Sequence, residues 1–420
     1  MATVVLIGTC DTKLEELLFL RSQIHQLNGL QVVMIDVGRN SVSHDAITIT
    51  RTELITQFGG KNPPDTSIIP QNELLKFMSS CVTNAVRSLF TAGRIQGIIS
   101  AGGSGGTSLA APAMRTVLPI GFPKLIVSTV ASGDTGPYVG ESDIAMLYSV
   151  VDIAGLNSVL RDVLSNAAAF IAAAALGYAT RQSRLQSATE GKKKKRIGIT
   201  MFGVTTPAVD AIRRYLSDLP RSDYETLVFH ATGHGGRAME KLIREGAIDA
   251  VIDLTTTEIC DLVVPGSVMS AGPERLSAAA EAGIPCLISL GATDMVNFGP
   301  KETVPERYAG RKLYVHNSAV TLMRVDQEEA KQVGEFIAGK VRGSKEPGKV
   351  ELWVPKGGVS VMSKAGGVFE NREVDAVLFG TVKAGLEGSE VRIVEDERDV
   401  NDEGLARDIA AALVRLMGES

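Results

Sequence analysis

The feature that most constrains the fold is a repeated order of short apolar runs, glycine- or hydroxyl-rich turns and helix-length segments. It occurs first as an apolar run at 4–7, a polar turn at 8–12 and a helical segment at 14–26. This alternation is typical of parallel sheets with crossover helices, so we predict an α/β fold. Further strand candidates are 32–37, 97–100, 125–129, 196–200, 226–229, 251–254, 286–290, 350–354 and 391–394.

Length and a change of composition predict two domains. The chain has 420 residues, 44% of them hydrophobic, which is enough for two separate cores. An alanine-rich helix is predicted over 153–177, charged and polar residues follow it, and the strand–turn–helix pattern restarts at Arg196. We therefore expect a first domain over 1–180, a linker over 181–195 and a second domain over 196–420.

Composition excludes several classes of function. Lys and Arg number 43 against 48 Asp and Glu, so the net charge of -5 gives no uniform positive field for nucleic acid. We interpret the basic run 192–195 as a solvated linker. The four cysteines form no CxxC pair, which predicts a reducing compartment and no structural zinc. Without a basic leader, and with a longest apolar stretch of only 167–176, the chain is expected to be cytoplasmic with no membrane partner.

The densest functional signal is a loop between a strand and a helix, formed by Gly102, Gly103, Ser104, Gly105 and Gly106. Glycines let backbone N–H groups approach an anion, and a helix N-terminus adds partial positive charge. The loop is neither GxxxxGK[ST] nor GxGxxG, and a glycine-rich turn without a ligand explains it equally well.

A second loop, 8–13, also leaves a strand end and opens a helix. Loops of this kind meet at one edge of a parallel sheet, so two phosphate-binding loops are predicted at one crevice. Asp11 or Thr12 can alternatively be an N-cap. Lys13 is less ordinary, because an ammonium at a helix start opposes the macrodipole unless it neutralises a bound phosphate, although a solvated lysine is the alternative.

Two further strand ends carry polar residues. Asp36 can accept hydrogen bonds from a ribose and Arg39 can reach a phosphate or base, or both can be turn residues. Residues 128–134 can place hydroxyls or a carboxylate near Mg²⁺ and phosphates.

The second half contains another polar set. Its members are His230, His234, Thr255, Thr256, Thr257, Glu258, Asp261, Asp294, Asn297 and His316. Such residues perform acid–base chemistry or bind a metal if they converge, and otherwise serve as helix caps and buried hydrogen-bonded groups. Glycines beside His230 and His234 argue against a helical zinc motif.

Several longer sequence segments resemble those of one family. They are GTCDTK at 8–13, GGSGGTS at 102–108, STVASG at 128–133, TMFGVTTP at 200–207, LVFHATG at 227–233, GGRAME at 235–240, DLTTTE at 253–258 and DMVNFGPK at 294–301. The chain resembles the family of the ATP-binding N-terminal domain of the tobamovirus resistance protein, which includes stand-alone bacterial and fungal members of unassigned activity.

The resemblance implies two Rossmann-like domains with mostly parallel sheets, homodimerisation, and ATP with Mg²⁺ held mainly by the first domain. Transferred residue by residue, the nucleotide contacts fall on Asp11, Thr12, Lys13, Arg39 and the Gly102 to Gly106 loop. An ATP-binding homodimer is therefore the first hypothesis. The alternative is an ATP-dependent enzyme that acts on a small-molecule ligand between the domains, using Glu258, Asp294, Asn297 or His316. A dinucleotide in place of ATP is disfavoured by the incomplete glycine fingerprint.

Overall fold

Each half of the chain builds its own sheet and core. The structure is a computed structural model that describes residues 1–26, 30–187, 194–220 and 223–418. These residues divide into two units, Met1–Gly191 and Lys192–Ser420.

The first unit is built on a five-stranded parallel sheet. Its strands are β1 (Thr3–Gly8), β2 (Gln31–Asp36), β3 (Gly97–Gly102), β4 (Lys124–Ser128) and β5 (Ala145–Tyr148). They lie in the order β2-β1-β3-β4-β5. Strands β3 and β4 are buried throughout, as expected for parallel strands covered on both faces.

Helices cover both faces of this sheet. They are α1 (Cys10–Gln26), α2 (Arg51–Phe58), α3 (Gln71–Thr91), α4 (Ser104–Val117), the short α5 (Gly136–Val139) and α6 (Ser158–Ser187). Helices α1 and α6 share one core layer with Leu6 of β1. Helices α3 and α4 share the other layer with Ile7, because successive residues of a strand point to opposite faces.

Helix α6 differs from the predicted helix over 153–177 at both ends. It starts at Ser158 because the Asn157 side chain accepts the Leu160 N–H and caps it. It continues to Ser187, so 181–187 of the expected linker are helical; 188–193 lie outside the described residues.

Helix α6 also corrects the expectation about apolar length. By length and composition alone, Ser158–Leu185 is long and apolar enough to cross a membrane. A helix that packs in a protein core passes the same test, and α6 buries Leu160, Leu164 and Ile171 against the first sheet.

The described residues of the second unit form two sheets. Its strands are β6 (Lys195–Met201), β7 (Tyr224–His230), β8 (Ala250–Thr255), β9 (Cys286–Gly291), β10 (Met295–Phe298), β11 (Leu313–Asn317), β12 (Val320–Arg324), β13 (Val350–Pro355) and β14 (Arg392–Asp396). Six form a parallel sheet in the order β14-β13-β9-β8-β6-β7, and three form an antiparallel sheet in the order β10-β12-β11. The sequence did not indicate the small antiparallel sheet.

The second unit's helices again lie on both faces of the parallel sheet. They are α7 (Thr206–Asp218), α8 (His234–Arg244), α9 (Thr257–Val263), α10 (Ser277–Ala282), α11 (Gln327–Arg342), α12 (Arg372–Leu386) and α13 (Glu403–Leu416). Helices α7 and α13 share one core layer, while residues of α8 to α12 contribute to the other. The predicted class, α/β with two Rossmann-like domains and mostly parallel sheets, is confirmed.

Candidate functional site

The order in which successive strands are added to the first sheet reverses at β1, which lies between β2 and β3. Helix α1 follows β1 on one face, and helix α4 follows β3 on the other. Connections that diverge in this way leave a crevice at the carboxyl ends of the strands, where ligands of open α/β sheets bind.

A cleft of about 310 Å³ lies at this point. The predicted site residues that line it are Thr9, Asp11, Thr12, Lys13, Arg39, Gly103, Ser104, Gly105 and Gly106. Gly102 ends β3 and is not among the lining residues. The structure thus places three separate segments of the sequence on one cleft.

The start of α4 presents bare backbone to the cleft. Gly103 is the N-cap, and no side chain in the described part of the protein caps the helix. N–H groups in the first turn of a helix have no acceptor within the helix. A Cβ at Gly105 would meet nothing within 4 Å, so the surrounding fold does not require glycine there. Glycine in a helix costs about 0.5–1 kcal/mol relative to alanine, so neither packing nor helix stability explains glycine at this position.

Lys13 lies on the cleft with a distorted backbone. Its φ of -137° and ψ of 25° interrupt the helical geometry of α1. Its ammonium donates to the Ile153 carbonyl, and Glu16, one turn later, accepts the Gly155 N–H. Lys13 therefore faces a neutral acceptor, and it forms no ion pair with a carboxylate of the described residues.

Arg39 lies across the cleft on the loop after β2. Its Nη1 donates to Oε1 of Gln71, 2.5 Å away, at the first residue of α3. Like Lys13, it has a neutral partner and no carboxylate partner in the described ranges. Two cations thus line one cleft, and neither is ion-paired with a carboxylate of the described residues, although the Asp11 carboxylate lines the same cleft.

Asp11 and Asp36 hold the loops that form the cleft. The Asp11 Oδ2 accepts the N–H groups of Arg39 and Asn40 at 3.0 and 2.9 Å. Asp36 is completely buried, and its Oδ1 accepts the N–H groups of Cys10 and Gly38. The interpretation of Asp36 as a ribose acceptor is wrong, because a side chain with no exposed surface cannot reach a ligand in the cleft.

One wall of the cleft is apolar and was missed by sequence reasoning. It consists of Leu74, Leu75 and Met78 of α3, with Val37 and Leu109. The helical spacing of Leu74, Met78 and Val82 does indicate a buried helix face. Nothing in that spacing shows that the helix start, with Gln71, borders the loop after β1.

In the third polar loop, 128–134, polar side chains are engaged in hydrogen bonds with neighbouring protein groups. Ser128 is buried, with its Oγ 2.7 Å from Thr107 Oγ1 and accepting the Val130 N–H. The Asp134 carboxylate accepts the Gly136 N–H. In the described part of the chain, no group of three or more His, Cys, Asp or Glu could hold a metal ion.

In the second unit, Glu258 of α9 is fully buried, and its side chain reaches the start of α8. Its Oε1 accepts the N–H groups of Gly233 and Gly236 at 2.6 and 3.0 Å. Its Oε2 accepts from the Arg275 guanidinium at 2.7 Å, and Arg275 also pairs with buried Asp253. This carboxylate therefore occupies the helix N-terminus where an anionic ligand would otherwise lie.

Asp261, Asp294 and Asn297 are also buried in hydrogen bonds. Burial raises the pKa of Asp261 to about 7 against the opposing effect of N–H donors from Asn297 and Met269. Burial likewise raises the pKa of Asp294 to about 6, while the Arg324 charge and the Ser360 hydroxyl act in the opposite direction. Both carboxyls are buried inside the protein.

The remaining members of the second polar set do not form one site. The hydroxyls of Thr255, Thr256 and Thr257 are buried and hydrogen-bonded to neighbouring residues. His230 and His234 are exposed at the end of β7 and the start of α8. His316 is exposed on β11 of the antiparallel sheet. The structure therefore does not bring this set together.

Fold and cleft define a class of α/β proteins with two parallel-sheet units, the first carrying an open cleft at its switch point. The chain belongs to the family described as Uncharacterised protein family (UPF0261). The family's N-terminal domain matches residues 2–180, and its C-terminal domain matches residues 194–417.

Similar proteins come from bacteria and from a plant. The UPF0261 protein of Clostridium tetani is 45% identical over 417 residues, covering 99% of this chain and 98% of that protein. The ToMV resistance protein Tm-1(GCR237) of Solanum lycopersicum is 41% identical over 398 residues, covering 91% of this chain and 52% of the tomato protein. This chain therefore spans about half of the plant relative, and the family resemblance found in the sequence is confirmed.

Solved structures are similar only at a low level. A UDP-N-acetylglucosamine 2-epimerase is 11% identical with a TM-score of 0.20, over 68% of this chain and 78% of that chain. The glycotransferase of kitacinnamycin is 10% identical with a TM-score of 0.21, over 99% and 98% of the two chains. Scores this low support no argument about function.

Proposed function

We propose that this protein binds ATP, as its Mg²⁺ complex, in the cleft of the first unit. One observation carries the proposal: the uncapped, glycine-rich start of α4 shares a cleft with two cations that lack carboxylate partners. A polyphosphate satisfies both features, because it accepts backbone N–H groups and neutralises the ammonium and guanidinium.

The two cations identify the phosphate end of the cleft. Lys13 and Arg39 have only neutral oxygen acceptors, at Ile153 and Gln71. Hydrogen bonds from a cation to an anionic oxygen are roughly twice as strong as those between neutral groups. A bound phosphate therefore competes effectively for both side chains.

The apolar wall suits the base. Leu75 is half-buried, and the nearly buried Leu74 and Met78 lie behind the same face of α3. An aliphatic surface beside a polar cradle is the usual composition of a nucleotide pocket. We therefore propose that the adenine lies along α3, with the phosphates toward α1 and α4.

The oxygen donors at the start of α1 fit a magnesium ion carried by phosphates. Mg²⁺ prefers oxygen ligands, and at nucleotide sites it is held by few protein groups together with phosphates and water. The hydroxyls of Thr9 and Thr12, 3.0 Å apart, are the residues that would hold it. When bound, the ion neutralises phosphate charge.

We propose binding without turnover. The enzyme hypothesis assigned chemistry to Glu258, Asp294 and Asn297, and all three are completely buried. His316 is exposed but lies on the antiparallel sheet. Homodimerisation, a cytoplasmic location and a small-molecule ligand stay predictions.

Calorimetric titration of MgATP tests the proposal. The wild type should bind saturably, and Lys13→Ala should bind about 10- to 100-fold more weakly, because one charge-assisted hydrogen bond is lost. Arg87→Ala is the matched control, since it also removes one positive charge but lies roughly 24 Å along α3 from Gln71. It should leave the affinity unchanged.

The outcomes separate the hypotheses. Absence of MgATP binding by the wild type would reject the nucleotide assignment. Equal weakening by Lys13→Ala and Arg87→Ala would show that the ligand senses net charge and not this cleft. Phosphate release over hours, abolished by Lys13→Ala, would favour the ATP-dependent enzyme over a binding protein.

A further inference from the structure

Two carboxylates connect the loop after β1 with the loop after β2. Asp36, at the end of β2, accepts the Cys10 N–H at 3.1 Å, where α1 begins. Asp11, in the first turn of α1, accepts the Arg39 N–H at 3.0 Å, on the loop after β2. Each side chain thus holds the backbone of the other loop. We refer to Asp11 and Asp36, with Gly38 between them, as the brace.

Gly38 shows how closely the brace is packed. Its N–H donates to Asp36 Oδ1 at 2.9 Å. A Cβ at this position would collide with the Asp11 carboxylate and would lie 3.1 Å from Asp36 Oδ1. The two carboxylates therefore converge on one backbone position, and only glycine leaves room for both.

The brace fixes the residues that carry the cations. Arg39 directly follows Gly38, and Lys13 lies three residues after Cys10. The backbone N–H groups of Gly38, Arg39 and Asn40 are all held by the two carboxylates. The loop that presents Arg39 is thereby held against the helix that presents Lys13.

A carboxyl group at position 36 carries a cost in folding free energy. It is completely buried, and its Oδ2 has no hydrogen-bond partner among the described residues. Burial raises its pKa, with the nearby Asp11 charge acting in the same direction, although the N–H groups of Gly38 and Cys10 oppose the shift. Apolar packing alone does not explain a carboxyl here, because an apolar residue would avoid the cost of desolvation.

We propose that Asp36 is the positioning residue of the cleft: without touching the nucleotide, it holds the start of α1 against the Arg39 loop so that Lys13 and Arg39 face one anion. This inference rests on the proposed ATP site. It assigns Asp36 a role through Arg39 and not a contact with the ligand.

A double-mutant cycle measured by MgATP calorimetry tests this role. Asp36→Ala should weaken binding about tenfold or more, since two hydrogen bonds to a charged acceptor are lost. Asp36→Asn keeps an acceptor oxygen and should stay within about threefold of the wild type. Because Asp36 acts through Arg39, the combined loss in Asp36→Ala with Arg39→Ala should be smaller than the product of the separate losses.

Two further variants keep the test independent of general destabilisation. Val86→Ala removes buried volume from the same unit, roughly 22 Å along α3 from Gln71, and should retain wild-type affinity. Gly38→Ala disturbs the brace from its centre and should weaken MgATP binding even if Asp36→Ala fails to fold.

Each outcome decides something. If the wild type binds MgATP but the double variant loses the full product of the single losses, Asp36 acts independently of Arg39 and this inference is wrong while the proposed function stands. Unchanged affinity in Gly38→Ala, or equal losses in Asp36→Ala and Val86→Ala, overturns it in the same way. A wild type that does not bind MgATP overturns the proposed function and this inference together.

Discussion

At the carboxyl edges of the two parallel sheets, similar sequence patterns form helix starts that differ in how their N–H groups are capped. In the first unit, α4 starts without a side-chain cap on an open cleft. In the second unit, Glu258 accepts two N–H groups at the start of α8, and Asn401 accepts the Ala208 N–H at the start of α7. A strand–glycine–helix pattern therefore predicts a place for an anion, but not whether a ligand or the protein's own carboxylate fills it.

The space around the glycines also differs between the two carboxyl edges. A Cβ at Gly235 would collide with the His230 carbonyl, and one at Gly236 would collide with the Glu258 carboxylate. In the first unit, a Cβ at Gly105 has open space. Gly235 and Gly236 of the second unit are therefore required by packing, whereas Gly105 of α4 is not.

The largest effect is expected from Arg275→Met in the second unit. Arg275 is the cation among buried Asp253, Glu258 and Glu240, and its loss should lower the free energy of unfolding by about 3–5 kcal/mol. Urea denaturation measures this. Arg407→Met is the control, because exposed Arg407 pairs with exposed Glu403 in solvent and should cost at most about 1 kcal/mol. Equal effects of the two substitutions on the free energy of unfolding would contradict the account that Arg275 neutralises the buried carboxylates of the second unit.

The next effect concerns Gly236. Gly236→Ala should destabilise the protein by about 1–3 kcal/mol, because the methyl group displaces Glu258 from the start of α8. Thermal or urea unfolding at neutral pH checks this, with Gly380→Ala, a helical position with open space, as the control. A stabilised Gly236→Ala would show that the edge of the second unit is loosely packed.

Asp294 tests the cost of buried carboxylates through pH. Because burial raises its folded-state pKa from the ordinary value of 3.8 to about 6, its ionisation lowers stability as pH rises through this range. Asp294→Asn removes that penalty and should be more stable than the wild type by about 1–2 kcal/mol at pH 8, with no gain at pH 4. Urea unfolding at the two pH values measures the difference. A gain that is equal at both pH values would exclude ionisation as its cause.

The smallest expected change in stability is a stabilisation. Gly105→Ala should stabilise the unliganded protein by about 0.5 kcal/mol through helix propensity, while weakening MgATP binding by covering the backbone. Gly339→Ala, in α11 with open space around it, should give a similar stabilisation and unchanged binding. Retained MgATP affinity in Gly105→Ala would remove the reason given for glycine at this position.

Local patterns were sufficient for the class of fold and for the ends of strands. Residues 8–13 and 102–106 follow β1 and β3, so parallel-sheet topology alone placed them at one edge. The apolar wall was not predictable, because the spacing of Leu74 and Met78 shows a buried face without its neighbours. The role of Asp36 was misread for the same reason: strand-end position was visible, but burial against Cys10 and Gly38 depends on the tertiary fold.

Hydrogen exchange of the full chain, with and without MgATP, tests the central contrast most directly. We predict slower exchange in peptides that cover residues 9–13 and 103–106, and unchanged exchange at 202–206 and 231–236, where internal side chains already hold the helix starts. Slower exchange at 231–236 with none at 103–106 would contradict the account, because it would place the nucleotide on the edge that Glu258 occupies.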